Sequence, residues 1–192
     1  MGVTHVYFVR HAHAPWSPDE ERPLSQAGGD AAQAVAAQLS APPISAIYTS
    51  PSRRAVQTIA PLAHHLGLSP RVVRDLRERE LPPVHVPDFD TMIHDTWRFP
   101  SRAPHGGETN CDAQHRGVAV LQDLISHHPD AHVVVSTHGT LLALVLNALD
   151  PRFDYEWWRH LSFPDIYRAA FSSGSFTGAE RMWEPGLALG RG

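Results

Sequence analysis

The chain is nearly without cysteine: Cys111 is the single one among 192 residues. No internal disulfide framework can staple the fold, and a reducing compartment is expected. No apolar run approaches the roughly 18 residues that a membrane-spanning helix needs. Excess positive charge is also missing, since 16 Lys plus Arg against 20 Asp plus Glu give a formal net charge of −4. That balance marks neither a nucleic-acid surface nor a membrane-binding face. The first strand begins at about Thr4, which leaves no room for a signal peptide, so the expected setting is the cytoplasm. Repeats, linkers and low-complexity segments are lacking, and residues 1–192 fit one domain with an ample core.

What the chain does have is an apolar run that breaks into charge near its start, Phe8-Val9-Arg10-His11-Ala12-His13. Val6, Tyr7, Phe8 and Val9 read as a short buried strand, which puts Arg10 and His11 where a strand of an α/β sheet gives way to loop. Ligands of open α/β sheets bind outside the carboxyl ends of the strands. A cation beside an imidazole at that place suits an anionic substrate attacked by a nitrogen nucleophile.

Strands and helices then alternate. Ser25 caps an alanine-rich helix to about Leu39, and Pro42-Pro43 stops it. Ile44 to Thr49 is a second strand, and Ser50-Pro51 opens a helix with Val56, Ile59, Leu62, Ala63 and Leu66 at helical spacing, ended by Gly67. A short strand at Val72-Val73 leads into the charged stretch Asp75 to Glu80. Leu81 to Pro104 is expected to be an insertion over the site, with one helix around Phe89 to Trp97. Thr109 or Asn110 caps a long helix, the apolar strand His132 to Ser136 follows, and Leu141 to Leu149 is a further helix. Past Pro151 the pattern weakens to a helix over Tyr155 to Leu161 and two edge strands, Ile166 to Phe171 and Arg181 to Trp183, around the turn Ser172 to Gly178. This rhythm predicts an α/β fold, a three-layer α/β/α sandwich with a mainly parallel central sheet and a cap segment inserted near 81–104.

Polar residues follow the strands in four sets: Arg10-His11, then Ser50 to Arg54, then Glu78, then Thr137-His138-Gly139. They should converge at one sheet edge. A phosphoryl group offers three oxygens that share charge, which suits two guanidinium forks and an imidazolium while one face stays open for in-line attack. Arg10, Arg54 and His138 supply that cradle. Gly139 and Thr140 start a helix, so backbone N–H groups and the helix dipole are expected to add to it.

Five motifs in order carry a resemblance: Val9-Arg10-His11, Ser50-Pro51-x-x-Arg54-Ala55-x-Gln57-Thr58, Leu76-Arg77-Glu78-Arg79, Gly106-Gly107-Glu108-Thr109 and Thr137-His138-Gly139. From about residue 4 to 150 the chain resembles the histidine phosphatase, or phosphoglycerate mutase-like, superfamily. The resemblance implies that His11 is the phosphorylated nucleophile, that Arg10, Arg54 and His138 bind the phosphate, and that Glu78 is the proton donor. Two departures from the usual pattern stand out. Ala12 replaces the glycine after the first histidine, though it is small enough to keep the backbone near the phosphate, and His13-Ala14 replaces Glu-Thr. Ser17, a candidate substrate contact together with Gly139, stands where mutases of the family carry asparagine. The pattern Arg-His-Ala-His followed by Arg22-Pro23-Leu24-Ser25 is similar to that of phosphatase-like members.

The chemistry needs His11 as a neutral imidazole attacking through one nitrogen, its other N–H held by a backbone carbonyl and its proton affinity lowered by the adjacent arginines. Glu78 would protonate the leaving alkoxide and then take a proton from water. The expected reaction is phosphate monoester hydrolysis on a small phosphorylated substrate, with no cofactor and no metal, because the arginines neutralise the charge.

Other readings compete. Glu78 lies in a charge run that reads as solvated surface, with Glu80 as the rival carboxylate. Glu108 and Arg116 read as structural, Arg53 as solvent-facing or on the substrate rim, Cys111 as a small buried residue, and His64-His65 and His127-His128 as helix surface. His85, His94, Trp97, Arg98, Arg102 and Trp16 are candidate substrate contacts, and Tyr155, Trp157 and Trp158 fit the core or a homodimer interface equally well. Mutase-type phosphoryl transfer and a non-catalytic module that binds phosphorylated ligands are the functional alternatives. A zinc amidohydrolase would use His11, His13 and His138, but its barrel typically needs about 250 residues, and it would leave Arg10 and Arg54 beside a cation.

Overall fold

The computed structural model describes residues 2–17, 19, 21–82, 87–103 and 105–183. Strand β1 (Val3–Arg10) leads to helix α1 (Gln26–Leu39), β2 (Ile44–Thr49), α2 (Arg53–Leu66) and a two-residue β3 (Arg71–Val72). A 3-10 turn (Arg74–Leu76) precedes α3 (Phe89–Arg98), α4 (Asn110–His127), β4 (His132–Thr137), α5 (Gly139–Leu149) and α6 (Tyr155–Arg159), and the chain returns through β5 (Asp165–Ser172) and β6 (Ser175–Arg181). Among the described residues no helix is long and apolar enough to cross a membrane.

The six strands lie in the order β3-β2-β4-β1-β5-β6. Pairings among β3, β2, β4 and β1 are parallel, while β5 runs antiparallel to β1 and β6 to β5. Side chains of successive strand residues point to opposite faces. Val6, Phe8, Val133 and Val135 therefore pack with Leu121 and Leu124 of α4 and Leu141, Leu142 and Val145 of α5. On the other face Tyr7, Val9, Ile47 and Val134 pack with Val35 and Leu39 of α1 and Ile59 and Leu62 of α2. The expected α/β/α layering is present. Gly117 lets α4 approach α5, since a Cβ there would lie 2.5 Å from Cγ2 of Val145.

Register brings the strand ends level. Arg10 pairs with Thr137, and Thr49 pairs with Ser136. Because these strands run the same way, the loops after β1, β2 and β4 leave from one edge.

Local signals explain most element ends. The Ser25 side chain accepts from Gly28 N–H, the Thr109 side chain from Asp112 N–H, and Gly67 closes α2 in the left-handed conformation. Several expectations need correction. The short third strand starts at Arg71 rather than Val72. β5 is no edge strand, because β6 covers it, and β6 ends at Arg181 instead of beginning there. The hairpin turn is Ser173-Gly174, both with positive φ, and such a two-residue turn matches strand twist better than the seven-residue turn expected. Cys111 is exposed, because Asn110 takes the inward position at the start of α4 and its side-chain NH2 donates to the Thr96 carbonyl at 3.0 Å. His128 is half-buried and hydrogen-bonded to the Tyr48 hydroxyl at 2.9 Å rather than solvated.

In the insertion, α3 buries Met92, Ile93 and Thr96, and sets His94 and Trp97 against Tyr155 of α6 with ring centroids 5.0 and 6.3 Å apart. Trp97 and Trp158 also meet, at 6.3 Å, so this aromatic cluster joins α3 to α6 within the chain. Arg98 and Arg102 flank the Phe99 ring at the surface. His85 lies outside the described residues.

The loop from α6 into β5 is fastened by one fully buried carboxylate. Asp165 accepts from Arg181 Nε at 2.9 Å and Nη2 at 2.7 Å, from Ser162 N–H at 2.9 Å and from Ile166 N–H at 3.0 Å. Removing it leaves these donors facing a gap. Asp165→Ala is expected to lower unfolding stability by about 3 kcal/mol, read from urea denaturation; a change below about 1 kcal/mol would place Asp165 among ordinary surface pairs.

Candidate active site

His11 leaves the end of β1 with its N–H on the Thr137 carbonyl at 3.0 Å. The next residue, Ala12, donates its N–H to Thr58 Oγ1 at 2.9 Å, and that hydroxyl donates to the Arg54 carbonyl at 2.7 Å. Thr58 on α2 thus orients the turn after β1. In that orientation the Ala12 carbonyl lies 2.7 Å from His11 Nδ1 and accepts its proton. Nε2 keeps its lone pair, directed toward Arg54 Nε at 3.3 Å.

Arg54, buried in the first turn of α2, joins the two histidines. Its Nη2 lies 3.1 Å from His138 Nδ1, and the His11 and His138 rings meet edge-on with centroids 5.2 Å apart. His138 Nε2 in turn lies 2.7 Å from Ser50 Oγ. A guanidinium cannot accept a hydrogen bond, so both facing nitrogens are acceptors and both rings are neutral.

The electrostatics agree. Burial drives the His11 imidazole down to about 3 against the upward pull of the Ala12 carbonyl, and the fields of Arg54, Arg10 and Arg22 push the same way as burial. Burial also holds His138 well below the usual range, with His11, Arg54, Arg22 and Arg116 adding. This corrects two expectations. Burial exceeds the arginines in lowering His11, and the imidazolium expected at position 138 is a neutral imidazole.

Arg10 sits beside them, lowered to about 10 by burial and supported by Glu78 and Asp165. It donates from Nη1 to the Leu161 carbonyl at 2.7 Å, and its guanidinium lies 3.4 Å from the centre of the Phe163 ring. Gly139 makes room for it, since a Cβ there would fall 2.9 Å from the guanidinium carbon. Of the N–H groups expected to face a phosphate, that of Thr140 is engaged elsewhere, as is that of Leu141 beside it at the start of α5. Both donate to Glu78, at 3.0 Å each, and Arg79 N–H adds a third bond at 2.9 Å.

Glu78 is half-buried on the segment after the 3-10 turn, and Arg116 locks that segment by donating to the carbonyls of Asp75, Arg77 and Glu78 at 2.6, 2.9 and 3.2 Å. A two-pronged pair with Glu108, 2.7 Å on each side, fixes Arg116 itself. The pair thus holds the segment that carries Glu78. Glu80 is exposed and near Arg77, 3.4 Å away, so of the two carboxylates only Glu78 acts on Arg10.

The structure thus brings Arg10, His11, Arg54, Glu78, His138 and Gly139 together. Ser17 bonds within its own loop: its hydroxyl accepts from Asp19 N–H at 3.1 Å and its carbonyl from Arg22 Nη1 at 2.9 Å. His13 is exposed on Ser25 Oγ at 2.9 Å, and Trp16 is exposed on the same loop. Among the described residues no three His, Cys, Asp or Glu side chains form a cluster able to hold a metal ion. Sequence reasoning missed Arg22, whose charge reaches both histidines; its only signal was the Arg22-Pro23-Leu24-Ser25 pattern. It gave Ser50 and Thr58 no role of their own, though both stand in its second motif, and it missed Phe163 as part of the site.

A family model described as "Histidine phosphatase superfamily (branch 1)" matches residues 6–179. The chain belongs to the histidine phosphatase superfamily. Its relatives include a glucosyl-3-phosphoglycerate phosphatase of Mycolicibacterium vanbaalenii, 27% identical over 174 residues that cover 78% of this chain and 75% of the relative. Phosphoglycerate mutase-like protein 4 of Arabidopsis thaliana is 28% identical over 159 residues, 71% of this chain and 67% of the relative. Among solved structures, mycobacterial glucosyl-3-phosphoglycerate phosphatase with inorganic phosphate superposes with a TM-score of 0.78 at 25% identity, covering 97% of this chain and 99% of the other. Arg10, His11, Arg54, Glu78 and His138 all lie within the matched span.

The neutral histidines make stability depend on pH. A folded-state value far below the unfolded value of about 6.5 means that stability is complete above that pH and is lost as pH falls from about 6.5 toward 3. Each such group steepens the acid loss by about 1.4 kcal/mol per pH unit. His5, His128 and His132 are also lowered by burial, so the informative quantity is a difference. His11→Ala is expected to show a shallower fall in urea midpoint between pH 7 and pH 4 than the native chain; parallel curves would contradict a neutral His11.

Proposed function

We propose that this protein hydrolyses phosphate monoesters through a phosphohistidine on His11. The observation that carries the reading is the state of His11: neutral, its Nδ1 proton on the Ala12 carbonyl, its Nε2 lone pair turned toward the buried guanidinium of Arg54. A phosphoryl group drawn to Arg10 and Arg54 would meet that lone pair, and Arg54 would exchange two histidine nitrogens for phosphoryl oxygens. Nε2 then attacks phosphorus as the ester P–O bond breaks, and Glu78 gives a proton to the departing alkoxide oxygen. In the second half water attacks phosphorus, its proton returns to Glu78, the P–N bond breaks and phosphate leaves. Thr140 and Leu141 anchor Glu78 in the first turn of α5, so one of those bonds must loosen when the carboxyl group turns to the bridging oxygen. The relatives named as phosphatases support hydrolysis of small phosphorylated substrates.

His11→Ala is expected to abolish turnover of phenyl phosphate and to remove a phosphoenzyme that is labile in acid and stable in base. Unchanged phosphate release by the variant would end the nucleophile assignment. For the proton donor, the leaving group is the lever: Glu78→Gln should slow an alkyl phosphate by about 10²–10⁴-fold and an activated aryl phosphate far less. Glu80→Gln should leave both rates nearly unchanged. Equal slowing of both substrates by Glu78→Gln would remove Glu78 from the proton transfer.

A further inference from the structure

Phe163 is a large apolar side chain left 47% exposed, and it is at the active site rather than on a remote surface. One face of its ring covers the Arg10 guanidinium at 3.4 Å, and its centroid lies 5.3 Å from that of the His11 imidazole. A phosphate ester held by Arg10 and attacked by His11 would lie within reach of this ring.

The ring is also presented by a fixed loop. Asp165, fully buried, holds Ser162 N–H and both ends of the Arg181 fork, and Ser162 Oγ donates to the Pro164 carbonyl at 2.6 Å while accepting from Arg181 at 3.1 Å. On the site side, Arg10 donates to the Leu161 carbonyl two residues before Phe163. The residues flanking Phe163 are therefore tied at both ends, to β6 by Arg181 and to β1 by Arg10. A flat apolar face set beside a nucleophile on a tethered loop loses little conformational freedom when a ligand stacks on it.

We propose that Phe163 is a platform for the leaving group, so that the site prefers phosphate esters whose alcohol portion carries a ring with a flat apolar face over those of short polar alcohols. This rests on the phosphatase reading for its kinetic consequence but not for its binding consequence. With Phe163 seated on a cation and nearly half of the residue exposed, its ring offers an apolar surface to an edge or an offset face of a second ring, an arrangement worth up to about tenfold in affinity. The platform acts on the alcohol portion alone, since Arg10 and Arg54 already take the phosphoryl oxygens.

The test uses two phosphonates that cannot be hydrolysed, phenylphosphonate and methylphosphonate, titrated calorimetrically into the native chain, Phe163→Ala and Phe163→Leu. The native chain should bind the phenyl compound about tenfold more tightly. That preference should fall to about twofold or less in Phe163→Ala. Phe163→Leu, which keeps an apolar cover over Arg10 but loses the flat ring, should lose it as well, so a folding defect in the alanine variant does not decide the matter. An unchanged preference in both variants, an equal weakening of both ligands, or no binding of either would overturn the proposal. Steady-state kinetics separates the two readings. If the native chain turns over no phosphate ester yet keeps a Phe163-dependent phenyl preference, hydrolysis fails and the platform stands; if it turns over phenyl phosphate and glycerol 2-phosphate with equal kcat/KM, the platform alone fails.

Discussion

A buried guanidinium resting on two uncharged imidazoles is the constraint on which the rest of this structure depends. Taking Arg54 out of water costs several kcal/mol unless its N–H groups find acceptors. Here the acceptors are the lone pairs of His11 Nε2 and His138 Nδ1, which exist only while both rings are neutral. A proton on either ring would delete an acceptor and set a second cation against the first. The charge of Arg54 thus keeps the nucleophile unprotonated, and the rings keep the guanidinium aimed at the place where a phosphoryl group would arrive. Arg10 is satisfied only in part, with a carbonyl at one edge and the Phe163 π face on its plane, while its buried Nε has no hydrogen-bond partner among the described residues.

The scaffold serves that contact. Level ends of β1, β2 and β4 place His11, Ser50 and His138 within reach of the first turn of α2, and Thr58, one turn past Arg54, fixes the Ala12 backbone that selects the His11 tautomer. Glu78 comes from a segment with almost no regular structure, and the Arg116–Glu108 pair supplies by hydrogen bonds the rigidity that a strand would otherwise give. Opposite them, Asp165 and Arg181 anchor the loop that carries Phe163.

Most of this was legible where a local rule governs. Apolar runs gave β1, β2 and β4 within a residue, and Ser25, Thr109 and Gly67 marked helix ends because caps are short-range chemistry. Arg10, His11, Arg54, Glu78 and His138 stood out because each follows a strand and carries charge or a titratable ring. Less legible was whatever depends on distant partners. The neutrality of His138 follows from burial in a finished core, and nothing near Phe163 in the chain says that it meets Arg10. The N–H groups of α5 looked open to a phosphate because the pairing of Glu78 with them spans more than sixty positions. The β5–β6 hairpin was misplaced because Gly178, which reads as a turn residue, lies within β6 opposite an irregularity in pairing between Ala170 and Phe171.

The most direct test of this account is the protonation state of His11, read from the ring nitrogen shifts of a 15N-histidine-labelled sample as pH is lowered. The account predicts a neutral ring with its proton on Nδ1 and an unprotonated Nε2, unchanged from neutral pH to about pH 5, well below the ordinary histidine range near 6.5. A His11 signal that titrates near 6.5, or a proton found on Nε2 at neutral pH, would contradict it.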